Sequence, residues 1–292
     1  MRLGRMRVDG GWRTVSVRPQ EQEVLVLPTE VGTVDDLVRG GPDALAAARD
    51  AEAGAPVRRL EPELLGAPLT RFNRDVLCTG WNYWTHYEES QGRREGQDPV
   101  ERPRHPTFFT KGPDTVVGPY DDIRYDGGLS TRWDYEAEVA LVFGVQGRSI
   151  PAEEAMGHVF GYLVANDVSQ RDLQRAHGGQ WLKGKSIDDT MPLGPWVTTA
   201  DEIPDPGSMR IRCLVNGELR QDAGTAQMAF PIPQLIAELS RGMTVRPGDL
   251  LLTGTPAGIG NARDPQVFLA PGDVVTTEVD ALGTLRNRVV AR

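Results

Sequence analysis

Apolar and polar positions along this chain change over in short runs, and their spacing predicts strands more often than helices. Residues 2–8, 12–17 and 23–27 fit half-buried strands. Val139 to Phe143 and Phe160 to Val164 are continuous apolar runs, as expected of buried strands. Asn216-Gly217 stands between two further runs within 211–220, the signature of a type I′ hairpin. Helical spacing is clearest at Ile232, Leu235, Ile236 and Leu239, which fall at i, i+3, i+4 and i+7 within 231–241 and precede Gly242 as a stop. A second helix fits the Ala-rich run 42–53, with Pro42 at its start and Gly54 beyond its end. Pro247-Gly248-Asp249 and Pro271-Gly272-Asp273 each precede a strand-like run.

This pattern divides the chain in two. Residues 1–70 read as a small appended α+β domain, with an Arg-, Glu- and Pro-rich linker reaching Pro68, and residues 71–292 as a strand-rich domain. The expected class is α+β, mainly β. The segment 90–106 is polar and charged and predicts a mobile surface loop.

Charge narrows the range of partners. Asp and Glu total 41 against 32 Lys and Arg, a net charge of −9 that argues against nucleic acid or an anionic membrane as the main partner. No window approaches the ~20 apolar residues of a membrane span. Cys78 and Cys213 are too few for a disulfide framework, which fits a reducing cytoplasm. Arginine is the basic residue almost everywhere; the lysines are Lys111, Lys183 and Lys185. An ammonium is a compact point charge suited to a carboxylate or enolate, so retention of lysine there is either chance or function.

Four segments could carry chemistry. On a strand, Asp134, Glu136 and Glu138 would share a face, either as a solvated edge or as a cation site. Asp167, where the run 161–165 ends, could add a third carboxylate to Glu136 and Glu138; an all-oxygen set suits Mg²⁺ first, with Mn²⁺ or Ca²⁺ possible and zinc less so. Ser169 and Asp172 beside it look like a helix cap. His86 and Glu89 are three apart, so one helical turn would let them form a general-base pair; the alternative is a histidine simply packed among aromatic residues. Three glycines within 254–260 suggest either a tight structural loop or one whose backbone approaches a ligand; without a Gly-Lys-Ser/Thr ending it is no phosphate-binding P-loop.

Taken in order, GWNYWTHYEE, PTFFTKGP, DYEAEVALVFG, GYLVANDVSQRDLQ, QWLKGKSIDDTMPLGPW, VNGEL, SRGMTVRPGD and LLTGTPAGIG resemble the fumarylacetoacetate hydrolase family over about residues 75–290. The resemblance implies a rolled, mixed β-structure catalytic core, usually a homodimer, binding Mg²⁺ or Mn²⁺. It implies Glu136, Glu138 and Asp167 as metal ligands, and His86 with Glu89 as the pair that activates water on a lid segment. It further implies Lys185 near substrate and metal, and Arg171, Gln174 and Thr255 as substrate contacts. Trp81 stands where many members carry a smaller aliphatic residue, and the 90–106 segment is long for the family; both bear on substrate identity.

The mechanism first implied is hydrolysis of a C–C bond in a 2,4-dioxo acid, an acylpyruvate or fumarylpyruvate-like small molecule. Water activated by His86–Glu89 would attack the distal carbonyl, with a pyruvate enolate as the leaving group held by metal and Lys185. The same metal site would also serve decarboxylation, dehydration or keto–enol isomerisation of a 2-oxo acid. A non-enzymatic binding protein using residues 1–70 as its interaction module is the more distant alternative.

Overall fold

In a computed structural model, which describes residues 1–92 and 101–292, the apolar run at Val139 lies in strand Ala137–Phe143, inside a twelve-stranded mixed sheet. Antiparallel neighbours Val159–Asn166 and Leu250–Leu252 flank it, and Leu250–Leu252 pairs in parallel with Val76–Gly80. Its alternate side chains enter different cores. Val139, Leu141 and Phe143 pack with Ile211, Cys213 and Val275, whereas Ala140 and Val142 pack with Leu163, Val197 and Leu37. A strand buried on both faces reads as a continuous apolar run, which is why period-2 alternation is missing there.

The first core is closed by a five-stranded sheet containing Arg210–Val215, Glu218–Gly224 and Val274–Val279. The expected hairpin turns at Asn216 and Gly217, whose φ values of 53° and 82° both lie in the left-handed region. Helix Ile232–Ser240 buries Ile232, Leu235, Ile236 and Leu239 in the same core. At about 1.5–3 kcal/mol for each large apolar side chain removed from water, those four anchor the helix.

The N-terminal strands Arg2–Val8, Gly11–Arg18 and Glu23–Val26 form as the pattern predicts, and they extend the large sheet. Leu3 pairs opposite Val197 of strand Met191–Thr199. Helix Val34–Ala51 starts at a Thr33–Asp36 capping box and breaks at Gly41 (φ 67°), just before Pro42. Its Val34, Leu37 and Val38 share a core with Ala140 and Leu163. The expected linker contains strands Val57–Arg59 and Leu65–Gly66, the latter paired to Arg2–Val8. Residue 70 thus marks a change of composition, while sheet and core run across it. Of the 90–106 segment, residues 93–100 lie outside the described residues. No helix among the described residues is long and apolar enough to cross a membrane.

Candidate active site

Two neighbouring strands bring the carboxylates together. Glu138 lies opposite Ala165 in the ladder, so Glu136 and Asp167, each two positions away on its own strand's path, fall on the same face. One ligand atom from each of Glu136, Glu138 and Asp167 lies within 4.8 Å of the others, and all three residues are buried. Asn166 Oδ1 accepts from the Glu136 N–H at 3.0 Å, and the Asp167 N–H donates to the Glu136 carbonyl at 2.9 Å, locking the two chain segments in register.

Asp134 departs from the sequence expectation. It belongs to a separate short strand, Trp133–Asp134, and its carboxylate accepts from the Gly260 N–H at 2.7 Å, the Asn261 N–H at 3.0 Å and Arg171 Nε at 2.8 Å. The face of three carboxylates is therefore made with Asp167, and Asp134 anchors Arg171 behind it. Nor does the expected cap form: Ser169 Oγ donates to the Asp167 carbonyl, Asp172 accepts from Ser130, and helix Arg171–Ala176 starts without a side-chain cap.

Buried cations meet these carboxylates. Lys185 Nζ sits 2.6 Å from both Glu136 Oε2 and Asp167 Oδ2. Lys111 Nζ takes the other Asp167 oxygen at 2.9 Å and donates to the Val168 carbonyl at 2.8 Å. Arg171 Nη2 lies 2.6 Å from Glu136 Oε1. Burial alone would raise the Glu136 pKa, but Lys185 and Arg171 outweigh it and hold the group below the ordinary range. Glu138 moves the other way: burial, Asp167 and Glu136 push it well up, against the pull of Lys185. Two of the three lysines thus clamp Asp167, while Lys183 is exposed.

Glu138 also decides whether a cation fits. Asp134, Glu136 and Asp167 each contact a lysine or arginine, whereas the contact described for Glu138 is a 2.6 Å hydrogen bond from the Gly254 N–H. A buried carboxylate beside two like charges is costly unless positive charge is added. Three oxygen donors at this spacing suit a hard divalent cation. Glu136, Glu138 and Asp167 are therefore fit to hold one.

Helix Trp84–Glu89 brings His86 to the same cavity, its Nδ1 2.9 Å from Glu89 Oε1. Glu89 Oε2 accepts from the Gly258 N–H at 2.7 Å. The glycine-rich loop is thus a backbone support for the site: Gly254, Gly258 and Gly260 N–H groups go to Glu138, Glu89 and Asp134 respectively. Gly258 has φ +112°, and a Cβ there would strike the Arg220 carbonyl, so the position needs glycine.

Gln174 and Thr255 line the cavity; Gln174 Oε1 accepts from Arg171 Nη1 at 3.2 Å, and Thr255 Oγ1 accepts from Gln221 Nε2 at 2.8 Å. Arg171 lines it as well, with its donors turned to Asp134 and Glu136. Trp81, Trp181 and Phe109 form an aromatic wall, with Trp181 5.0 Å from Trp81 and 5.1 Å from Phe109 between ring centroids. Sequence reasoning noticed Trp81 but missed Trp181, Phe109, Arg175 and Asn261, because the wall is assembled from residues far apart in the chain.

A family model described as fumarylacetoacetate (FAA) hydrolase C-terminal matches residues 75–290. An oxaloacetate tautomerase of Bacillus subtilis (strain 168) is 35% identical over 286 residues, covering 95% of this chain and 93% of its own. The structure of a fumarylacetoacetate hydrolase from Exiguobacterium antarcticum superposes with a TM-score of 0.86 at 35% identity, covering 100% of both chains. A maleylpyruvate hydrolase from Sphingobium sp. SYK-6, solved in complex with manganese(II) and pyruvate, gives a TM-score of 0.79 at 28% identity over 100% of this chain and 99% of that one.

Proposed function

The chain belongs to the fumarylacetoacetate hydrolase family, and on that footing we propose that it interconverts the keto and enol forms of a small 2-oxo acid of the oxaloacetate type. The carrying observation is one cavity that holds both a histidine fixed by a carboxylate and a buried lysine ammonium. Moving a proton between C3 and the C2 oxygen requires those two functions, a proton acceptor and a charge facing the oxygen. Sequence alone put C–C hydrolysis first. Likeness to an oxaloacetate tautomerase along nearly the whole chain favours proton transfer without an attacking water.

In enolisation the C3–H bond breaks, its electron pair becomes the C2=C3 bond, and the carbonyl π pair moves to oxygen. Glu89 accepts from His86 Nδ1, leaving Nε2 as the bare nitrogen that takes the C3 proton. The C2 oxygen takes a proton from the Lys185 ammonium, and exchange with solvent restores both groups. Ketonisation reverses each step. A divalent cation on Glu136, Glu138 and Asp167 would supply Lewis-acid polarisation of the 2-oxo carboxylate end.

The test uses freshly dissolved enol-oxaloacetate and full-length enzyme supplied with Mg²⁺ or Mn²⁺. The ultraviolet absorbance of the enol should decay faster than in buffer, with neither pyruvate nor carbon dioxide formed, and His86→Ala should abolish the acceleration. Pyruvate and a carboxylic acid released from acylpyruvates, with no effect on enol decay, would instead establish hydrolysis.

A further inference from the structure

We propose that Gln221 is a positioning residue of this site, which fixes the Thr255 hydroxyl as a hydrogen-bond donor to a carboxylate oxygen of the bound 2-oxo acid; this rests on the reading above. Gln221 lies on strand Glu218–Gly224, in the sheet that closes the first core, and is buried. Its amide joins two parts of the site. Oε1 accepts at 2.9 Å from the N–H of Ala137, the residue between Glu136 and Glu138. Nε2 donates to Thr255 Oγ1 and to the Pro256 carbonyl, both at 2.8 Å.

The main chain dictates which end of this amide is which. A backbone N–H can only donate and a carbonyl can only accept, so Ala137 must meet the amide oxygen and Pro256 the nitrogen. Both hydrogens of Nε2 are then spent, and Thr255 Oγ1 is obliged to accept. A hydroxyl that accepts from a donor-only group keeps its own hydrogen for another partner. Among the described residues Thr255 Oγ1 makes this one hydrogen bond, and Thr255 is a buried residue lining the cavity. Its hydrogen is therefore offered to a ligand.

A 2-oxo acid has two kinds of acceptor. Its keto oxygen faces the Lys185 ammonium in the proton transfer proposed above, so the acceptor left for Thr255 is a carboxylate oxygen. Thr255 follows Gly254, whose N–H holds Glu138 Oε2 at 2.6 Å, so successive residues of one loop support a cation ligand and meet the acid. A hydroxyl donating to a carboxylate makes a charge-assisted bond. Without Gln221 the hydroxyl could turn its hydrogen to the Pro256 carbonyl; with both amide hydrogens in place that orientation is closed.

The test measures pyruvate binding by calorimetric titration into full-length, Mn²⁺-supplied enzyme, a readout that needs no turnover. Gln221→Met and Thr255→Val should each weaken pyruvate about tenfold, the scale of one hydrogen bond to a charged group. Thr255→Ser keeps the hydroxyl and should keep the affinity. Adding Gln221→Met to Thr255→Val should cost nothing further, because the hydroxyl through which Gln221 acts has gone. Gln221→Glu guards against misfolding: it retains an acceptor for the Ala137 N–H but offers Thr255 no N–H, and should weaken pyruvate at least as much as Gln221→Met. Losses that add in the double variant, wild-type affinity in Gln221→Met or Gln221→Glu, or no pyruvate binding by the wild type would overturn the assignment. The two readings fail separately: coupled losses of binding without tautomerisation sink the activity alone, whereas tautomerisation with pyruvate binding indifferent to Gln221 sinks this assignment alone.

Discussion

Glu89 and Gly258 are joined by a 2.7 Å hydrogen bond from the glycine amide to the carboxylate oxygen not used by His86. One carboxylate thus orients the His86 imidazole and ties its helix to the loop. Glu89→Gln keeps the shape but removes the charge that fixes the imidazole. We expect kcat for enol–keto conversion to fall about 100-fold, with KM within a few-fold of wild type. Steady-state kinetics at saturating metal check this, and full kcat in the variant would mean that Glu89 does not orient the base.

Removing one charge from the carboxylate trio should separate stability from cation binding. Glu138 is pushed up by burial and by its neighbours Asp167 and Glu136. Glu138→Gln relieves that repulsion, and its amide oxygen can still accept from the Gly254 N–H. The metal-free variant should melt at or above the wild-type temperature. Wild type with cation at about 100 times Kd should gain about 2.7 kcal/mol, and the variant almost none. Melting curves with and without Mg²⁺ or Mn²⁺ measure both effects.

Asp134 should matter more for the fold than a sequence reading of it as a possible ligand suggests. It satisfies three backbone amides, those of Tyr135, Gly260 and Asn261, and the Arg171 guanidinium in a fully buried place. Asp134→Asn loses the charge and puts an amide donor against other donors. A loss of about 3 kcal/mol is expected in urea unfolding. A loss below 1 kcal/mol would show that the Arg171 anchor is dispensable.

Acid sensitivity should include a contribution from the helix start at Thr33. Hydrogen bonds from the Thr33 amide and hydroxyl, with Arg71 beside them, lower Asp36 to about 2 from an ordinary 3.8. Because the folded pKa is depressed, the stabilisation is fully present above about pH 4 and disappears as pH falls through about 2. Asp36 is exposed, so the effect should stay below about 1 kcal/mol. Asp36→Asn should flatten the pH dependence of urea midpoints between pH 4 and 2 relative to wild type.

Local chemistry was legible where one short segment decided it. Asn216-Gly217 set its own turn, Ile232 to Leu239 declared a buried helical face, and His86 found Glu89 one helical turn away. Asp134 was not legible, because alternation along 134–138 could not reveal that its partners come from Gly260 and Asn261. The helix over 34–40 was missed because Gly40, Gly41 and Pro42 interrupt its pattern, although Leu37 and Val38 are buried. A linker looked plausible to Pro68 because its short strands owe their pairing to a distant partner, Arg2–Val8. Lysine scarcity pointed to Lys185 and only to the neighbourhood of Lys111, since the Lys111 partner Asp167 lies 56 positions away.

The three glycine amides that hold Glu138, Glu89 and Asp134 belong to one loop of seven residues, 254–260. Their alignment of these three carboxylates is done by main-chain nitrogen. Exchanging a side chain of the loop cannot remove those donors one by one, and shifting the loop would disturb all three contacts at once. Such a jig is hard to retune piecemeal. New substrate preferences are therefore most readily acquired at the wall, through Trp81, Trp181 and Arg175, while the reacting centre keeps its geometry.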